Sequence, residues 1–173
     1  MNFKYLNLTI VFCLLIFSVN ADEKKSQFID EKNTEFNVYS GMFDFSDDGK
    51  RSALLGFQHQ NENLNRDTFL GNISPITGAL ITEDAAAYVY TGVQAQYKIG
   101  ALNITPSFTP GLYHEGDGKD LGHILEFKSE LQISLDLSKT SELGLSYNHI
   151  SNASLGDKNP GANSYMFNFL KNF

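Results

Sequence analysis

Near the C-terminus three polar side chains recur at strand spacing. They are His149, Ser151 and Asn163, within L-G-L-S-Y-N-H-I-S-N-A-S-L-G-D-K-N-P-G-A-N at 143–163. In an extended chain, residues i and i+2 lie about 6.5–7 Å apart at Cα and project to the same side, so the His149 imidazole can reach the Ser151 hydroxyl. A serine whose proton is drawn off by imidazole attacks carbonyl carbon, and an amide such as Asn163 can hold the ring in one tautomer. The chemistry open to this set is acyl transfer. Spacing alone leaves a second account standing, in which His149 and Ser151 are interfacial polar residues with no reaction. The remaining candidates offer less. His114–Asp120, H-E-G-D-G-K-D, lacks the regular Asp spacing and closing Glu of a calcium loop and is expected to be solvated loop. His59 and His123 have no ligand partners nearby in sequence. Neither a metal nor a cofactor is expected.

Those residues need strands to hold them, and the chain supplies a period of two. Ala87, Val89, Thr91, Val93, Ala95 and Tyr97 fall on one face, opposite Tyr88, Tyr90, Gly92, Gln94, Gln96 and Lys98. Between 121 and 137, Leu125, Phe127, Leu131, Ile133, Leu135 and Leu137 oppose Glu126, Lys128, Glu130, Gln132, Ser134 and Asp136. The alternation predicts eight strands, at 36–45, 51–60, 67–82, 85–98, 101–113, 121–137, 141–151 and 163–173. Pro106 and Pro110 predict bulges or distortion in the fifth.

The first 21 residues read differently. Lys4 precedes the apolar run Leu8–Val19, which is too short to span a bilayer, and Val19-Asn20-Ala21 fits a cleavage site. Residues 1–21 are therefore expected to be a signal peptide, 22–35 a polar periplasmic leader, and 36–173 the folded barrel. The single cysteine, Cys13, would leave with the signal, so no disulfide is expected. The net charge of −7 over 173 residues excludes the basic face of a nucleic-acid binder. No stretch is apolar for about 18 residues, which excludes a membrane helix but not a membrane barrel.

Three all-β packings share this alternation: a soluble sandwich, a lipocalin-like barrel with apolar residues inside, and a membrane barrel with apolar residues outside. Strand length favours the third, because the predicted strands meet the roughly 9–11 residues of a tilted crossing. The chain also ends on Phe173 behind Tyr165, Phe167 and Phe169 on one face. That ending resembles the terminal-strand signal read by the outer-membrane barrel assembly machinery, with Lys171 departing from it. The fold class expected is an all-β, eight-stranded antiparallel transmembrane β-barrel after a cleaved signal peptide. An even strand number puts both termini in the periplasm and the longest loops, 114–120 and 152–162, outside. His149, Ser151 and Asn163 then face lipid at the outer rim, where headgroup esters lie. Glu126, Lys128 and Glu130 point inward and are expected to form a polar network filling the lumen.

H-I-S-N-A at His149–Ala153 followed by N-P-G at Asn159–Gly161 resembles the C-terminal motif of the PagL family of lipid A 3-O-deacylases. F-T-P-G-L-Y at Phe108–Tyr113 and D-L-G-H-I-L-E-F at Asp120–Phe127 extend the resemblance upstream. It implies an outer-membrane serine esterase acting on lipid A of the outer leaflet. His149 would be the general base and Ser151 the nucleophile, and Asn152, Asn159 and Gly161 would lie at the oxyanion and substrate-binding positions. Asn163 falls where well-studied members carry a Glu. The alternative is a non-catalytic barrel used for adhesion or envelope stability. A homodimer is compatible with the sequence.

Overall fold

The computed structural model describes residues 34–173. The signal peptide and nearly all of the leader lie outside the described residues. Ten strands follow: β1 (Thr34–Phe43), β2 (Ser52–Asn61), β3 (Arg66–Thr68), β4 (Gly71–Thr82), β5 (Ala87–Ala95), β6 (Tyr97–Ile99), β7 (Leu102–His114), β8 (Leu125–Ser138), β9 (Ser141–Ser151) and β10 (Ala162–Asn172), with a 3-10 turn at Glu62–Leu64.

Eight staves make the wall, as expected. β5 and β6 both pair with β7 and form one stave, and β3 pairs only with β4. Every neighbouring pair is antiparallel. β1 pairs with β10 on one side and β2 on the other, and β2 pairs with β4, so the sheet closes on itself. Among the described residues, closure leaves no open edge apart from that of the three-residue β3, the condition a sheet must approach to stand in hydrocarbon.

The direction of the side chains decides among the three packings. Along β9, Leu143, Leu145 and Tyr147 are exposed while Gly144, Ser146 and Asn148 are buried. β8 repeats this, with Ile133 and Leu135 exposed and Glu126, Lys128, Glu130 and Gln132 buried. Apolar residues outside and polar ones inside is the polarity of a membrane barrel. In water so large an apolar surface would drive association.

The lumen is filled rather than open. Lys128 Nζ lies 2.9 Å from Glu130 Oε2 and 4.0 Å from the centre of the Tyr90 ring. Asn37 donates to Gln132 and Asn168, and Gln58 to Gln94, nearer the termini. Glu126 departs from the expected network. Its carboxylate is buried and neither oxygen has a hydrogen-bond partner among the described residues. Gly56 makes room in the lumen for the Tyr39 ring, which a Cβ at that position would overlap. Toward the long-loop end, Phe43, Leu54, Leu80, Ala86, Tyr113, Leu121, Ile150 and Ala162 form an apolar plug.

Three expected boundaries shift, and one expected distortion is absent. The barrel begins at Thr34, inside the segment read as leader. The third strand is a hairpin, β3 turning into β4 through Phe69-Leu70, with Gly71 at φ +92. The sixth starts at Leu125, since Leu121 is buried in the plug while its parity would turn it outward. Pro106 and Pro110 produce no bulge. Pro110 instead sits where the β5–β7 ladder lapses between Tyr90↔Gly111 and Val93↔Phe108, with register unchanged. The one irregularity in the β8–β9 ladder is at Asp136/Ser138, near the termini end.

Candidate active site on the outer wall

β9 runs toward the long-loop end and finishes at Ser151, and β10 returns from Ala162. Their register sets His149 directly opposite Asn163 and Tyr147 opposite Tyr165. All four belong to the lipid-facing side, where Tyr147, His149 and Tyr165 are exposed and Asn163 is half-buried.

Asn163 is the hub. Its Oδ1 lies 2.8 Å from His149 Nδ1 and accepts the Tyr147 hydroxyl at 2.8 Å. An amide oxygen only accepts, so this contact requires the proton on Nδ1 and leaves Nε2 with its lone pair free, the form a general base needs. That assignment follows from the hydrogen-bond network. Asn163 Nδ2 donates to Ser46 Oγ at 3.2 Å, and Ser46 Oγ donates to Asp44 Oδ1 at 3.4 Å. Asn163 also touches this segment through its backbone: its N–H donates to Asp44 Oδ1 at 3.3 Å, and Phe45 N–H donates to its carbonyl at 2.9 Å. Asp44 is buried at φ +48, outside the range most side chains favour, and Lys119 Nζ lies 2.5 Å from its Oδ2.

Ser151 stands two residues beyond His149 on the same side of β9. Its ladder partner is Phe127 of β8, one step past the end of the β9–β10 pairing at Ile150↔Ala162. No hydrogen bond joins Ser151 to His149 or Asn163 among the described residues. His149 and Asn163 are thus brought together, and Ser151 is placed beside them without a direct link.

The remaining sequence-derived candidates separate into different roles. Asn152 is fully buried, and its Nδ2 donates to the carbonyls of Leu121 and Lys158 at 2.8 Å each. Its Oδ1 accepts the Ser154 N–H at 2.9 Å. This amide is committed to tying two loops together. Asn159 is exposed and accepts the Asn152 N–H on Oδ1 at 3.1 Å, which leaves its NH₂ group to donate elsewhere. Gly161, at φ +64, abuts the His149 ring. A Cβ there would come within 2.7 Å of Cε1 and 3.2 Å of Nε2. Glycine is needed both for the conformation and for the space.

The same two loops are clamped at their rim. Lys158 Nζ lies 2.5 Å from Asp120 Oδ2, and Asp120 Oδ1 accepts the Gly122 N–H at 2.7 Å. Lys158 first, then that N–H, hold the Asp120 carboxyl below its ordinary range. Aromatic rings border the wall on both sides. Phe45 packs against Tyr165 at 5.5 Å and Tyr147 at 6.2 Å, and Phe127 stacks on Phe108 at 6.0 Å. Phe127 beside Ser151 and Tyr147 below His149 give the polar set an apolar frame suited to an acyl chain.

Sequence reasoning missed three partners of Asn163. Tyr147 was legible only as a lipid-facing aromatic. Asp44 and Ser46 lie 119 and 117 positions away and meet Asn163 only because β1 closes on β10. No local pattern announces them.

A family model described as "Lipid A 3-O-deacylase (PagL)" matches residues 45–172. No curated protein matches the chain. Among solved structures, one described as the crystal structure of the outer membrane enzyme PagL superposes with TM-score 0.60 at 16% identity, covering 79% of this chain and 98% of that one. A de novo designed transmembrane β-barrel superposes with TM-score 0.52 at 9% identity, covering 84% and 98%. The Yersinia pestis outer membrane protein Ail superposes with TM-score 0.50 at 11% identity, covering 83% and 100%. At these identities the superpositions speak for the barrel alone, while the family match spans most of the chain. The chain therefore belongs to the PagL family of lipid A deacylases, and its barrel is one of the bacterial outer membrane.

Proposed function

We propose that this barrel removes the 3-O-linked acyl chain of lipid A in the outer leaflet by a Ser-His mechanism. The observation that carries the reading is the 2.8 Å contact between His149 Nδ1 and Asn163 Oδ1 on the lipid-facing wall, within a frame of aromatic side chains. A polar group on that wall is costly at depth and tolerable at the interface, where ester linkages of the substrate lie.

Ser151 Oγ attacks the ester carbonyl while His149 Nε2 takes its proton. Nδ1 stays bonded to Asn163, which stabilises the imidazolium through its carbonyl dipole. The carbonyl oxygen becomes an oxyanion, and our candidate side-chain donor to it is the NH₂ group of Asn159, whose amide oxygen is already engaged by the Asn152 N–H. Collapse breaks the bond to the sugar oxygen, which takes the proton from Nε2 and leaves as the hydroxyl. Water then attacks the acyl-serine, with His149 again as base, and releases the fatty acid. No cofactor enters this scheme.

The test is mass spectrometry of lipid A from cells with and without the gene. Loss of one acyl chain supports the deacylase. Unchanged lipid A, with the barrel present and folded, would leave the non-catalytic adhesion or envelope-stability reading.

A further inference from the structure

Asn163 is the side chain that orients His149, and an amide brings no charge to balance an imidazolium. A buried carboxylate, Asp44, is connected to Asn163. His149 Nδ1–H points to Asn163 Oδ1 at 2.8 Å, Asn163 Nδ2–H to Ser46 Oγ at 3.2 Å, and Ser46 Oγ–H to Asp44 Oδ1 at 3.4 Å. Every donor in this series faces the same way. Each amide and hydroxyl dipole therefore turns its negative end toward the imidazole and its positive end toward the carboxylate. Hydrogen bonds aligned head to tail polarise one another.

We propose that Asp44 supplies the charge that Asn163 lacks, acting on His149 through Ser46 and Asn163 as a positioning residue. This rests on the deacylase reading for its consequence in turnover, though not for its effect on the imidazole. Three features of Asp44 fit the role. Its carboxylate is fully buried, so its field is poorly screened by solvent. The backbone at φ +48 aims it at Asn163, an arrangement that the Phe45 and Asn163 backbone bonds hold. Lys119 compensates the buried charge from the opposite oxygen, leaving Oδ1 to face Asn163 and Ser46. Of the three links, the last is the longest, which makes Ser46 the place to cut.

The experiment compares wild type, Ser46→Ala, Asp44→Asn, Asn163→Glu and both double variants with Asn163→Glu, each refolded and checked for the heat-modifiable band of a closed barrel. Ser46 is an exposed loop residue, so its variant keeps the test open if Asp44→Asn fails to fold. Two readouts are taken. Fatty acid release from purified lipid A gives kcat and KM. ¹⁵N spectra of the His149 ring, assigned with His149→Ala, give the tautomer. We expect Ser46→Ala and Asp44→Asn to lower kcat about 10-fold with KM unchanged, the equivalent of one pKa unit of differential stabilisation. We expect Asn163→Glu to restore kcat in both backgrounds, because it delivers the charge directly. The Nδ1–H tautomer should dominate in wild type and in every Asn163→Glu variant, and become mixed in the two single cuts. The relay is overturned if folded Ser46→Ala keeps wild-type kcat and tautomer, or if Asn163→Glu fails to rescue. If wild type releases no fatty acid while the tautomer still responds to Ser46→Ala, the deacylase reading fails and the relay stands.

Discussion

The carboxamide oxygen of Asn163 sits 2.8 Å from His149 Nδ1, on the strand directly across the sheet. One hydrogen bond thus fixes both which nitrogen carries the proton and which way the ring faces. Asn163→Ala removes that contact and should cost about 10- to 1,000-fold in rate, the range in which mis-set tautomers fall. Asn163→Glu should match or exceed wild type, since a carboxylate stabilises the developing imidazolium. Fatty acid release by the refolded variants decides both.

Tyr147 donates to the same oxygen at 2.8 Å and so helps to hold the amide from turning over. Tyr147→Phe keeps the ring in its contact with Phe45 and removes only the hydroxyl. The expected loss is modest, about 2- to 5-fold in kcat, the worth of one neutral hydrogen bond. A loss as large as that of Asn163→Ala would mean that Tyr147 acts on the substrate rather than on Asn163.

Gly161→Ala should cut activity by about 10-fold or more while leaving the barrel folded, because the new methyl group displaces the His149 ring from its working position. Heat-modifiable migration should be unchanged. An active alanine variant would show that the ring has room to shift without consequence.

The lumen makes a separate prediction. Glu130→Leu strands Lys128 without its 2.9 Å partner in a buried site and should lower stability by about 3–5 kcal/mol. Glu126→Leu removes a carboxylate that has no partner and should be neutral or stabilising. Urea midpoints of the two variants in detergent should therefore move apart. Equal losses would contradict the partnering seen here.

Most of the wall was legible in the sequence for a physical reason. Side-chain alternation is a local property of an extended chain, so the parity of Leu143, Leu145, Tyr147 and His149 follows from spacing once a strand is granted. The hairpin from Ser151 to Asn163 likewise made the His149–Asn163 encounter readable. What escaped was set by other forces. Leu121 continues an apolar rhythm but turns inward, because Gly122 at φ +93 breaks the strand before Leu125. Asn152 reads as a reactive-site amide, yet carbonyls of Leu121 and Lys158, contributed by separate loops, consume its donors. Asp44 and Ser46 depend on barrel closure, which joins the two ends of the chain and leaves no trace in local pattern.

The topology follows from the same strand count. A tag in the loop at 152–161 should be labelled on intact cells, and one at Lys139–Thr140 should not. The opposite labelling would place the candidate site at the inner leaflet and remove it from lipid A.

The most direct test of the central claim is fatty acid release from purified lipid A by the refolded wild type and by Ser151→Ala, followed by mass spectrometry. Wild type should release one acyl chain per lipid A, and Ser151→Ala should release none while migrating as a folded barrel. Near-native release by Ser151→Ala, or none by wild type on any lipid A supplied, would contradict the assignment of Ser151 as nucleophile in the first case and the deacylase itself in the second.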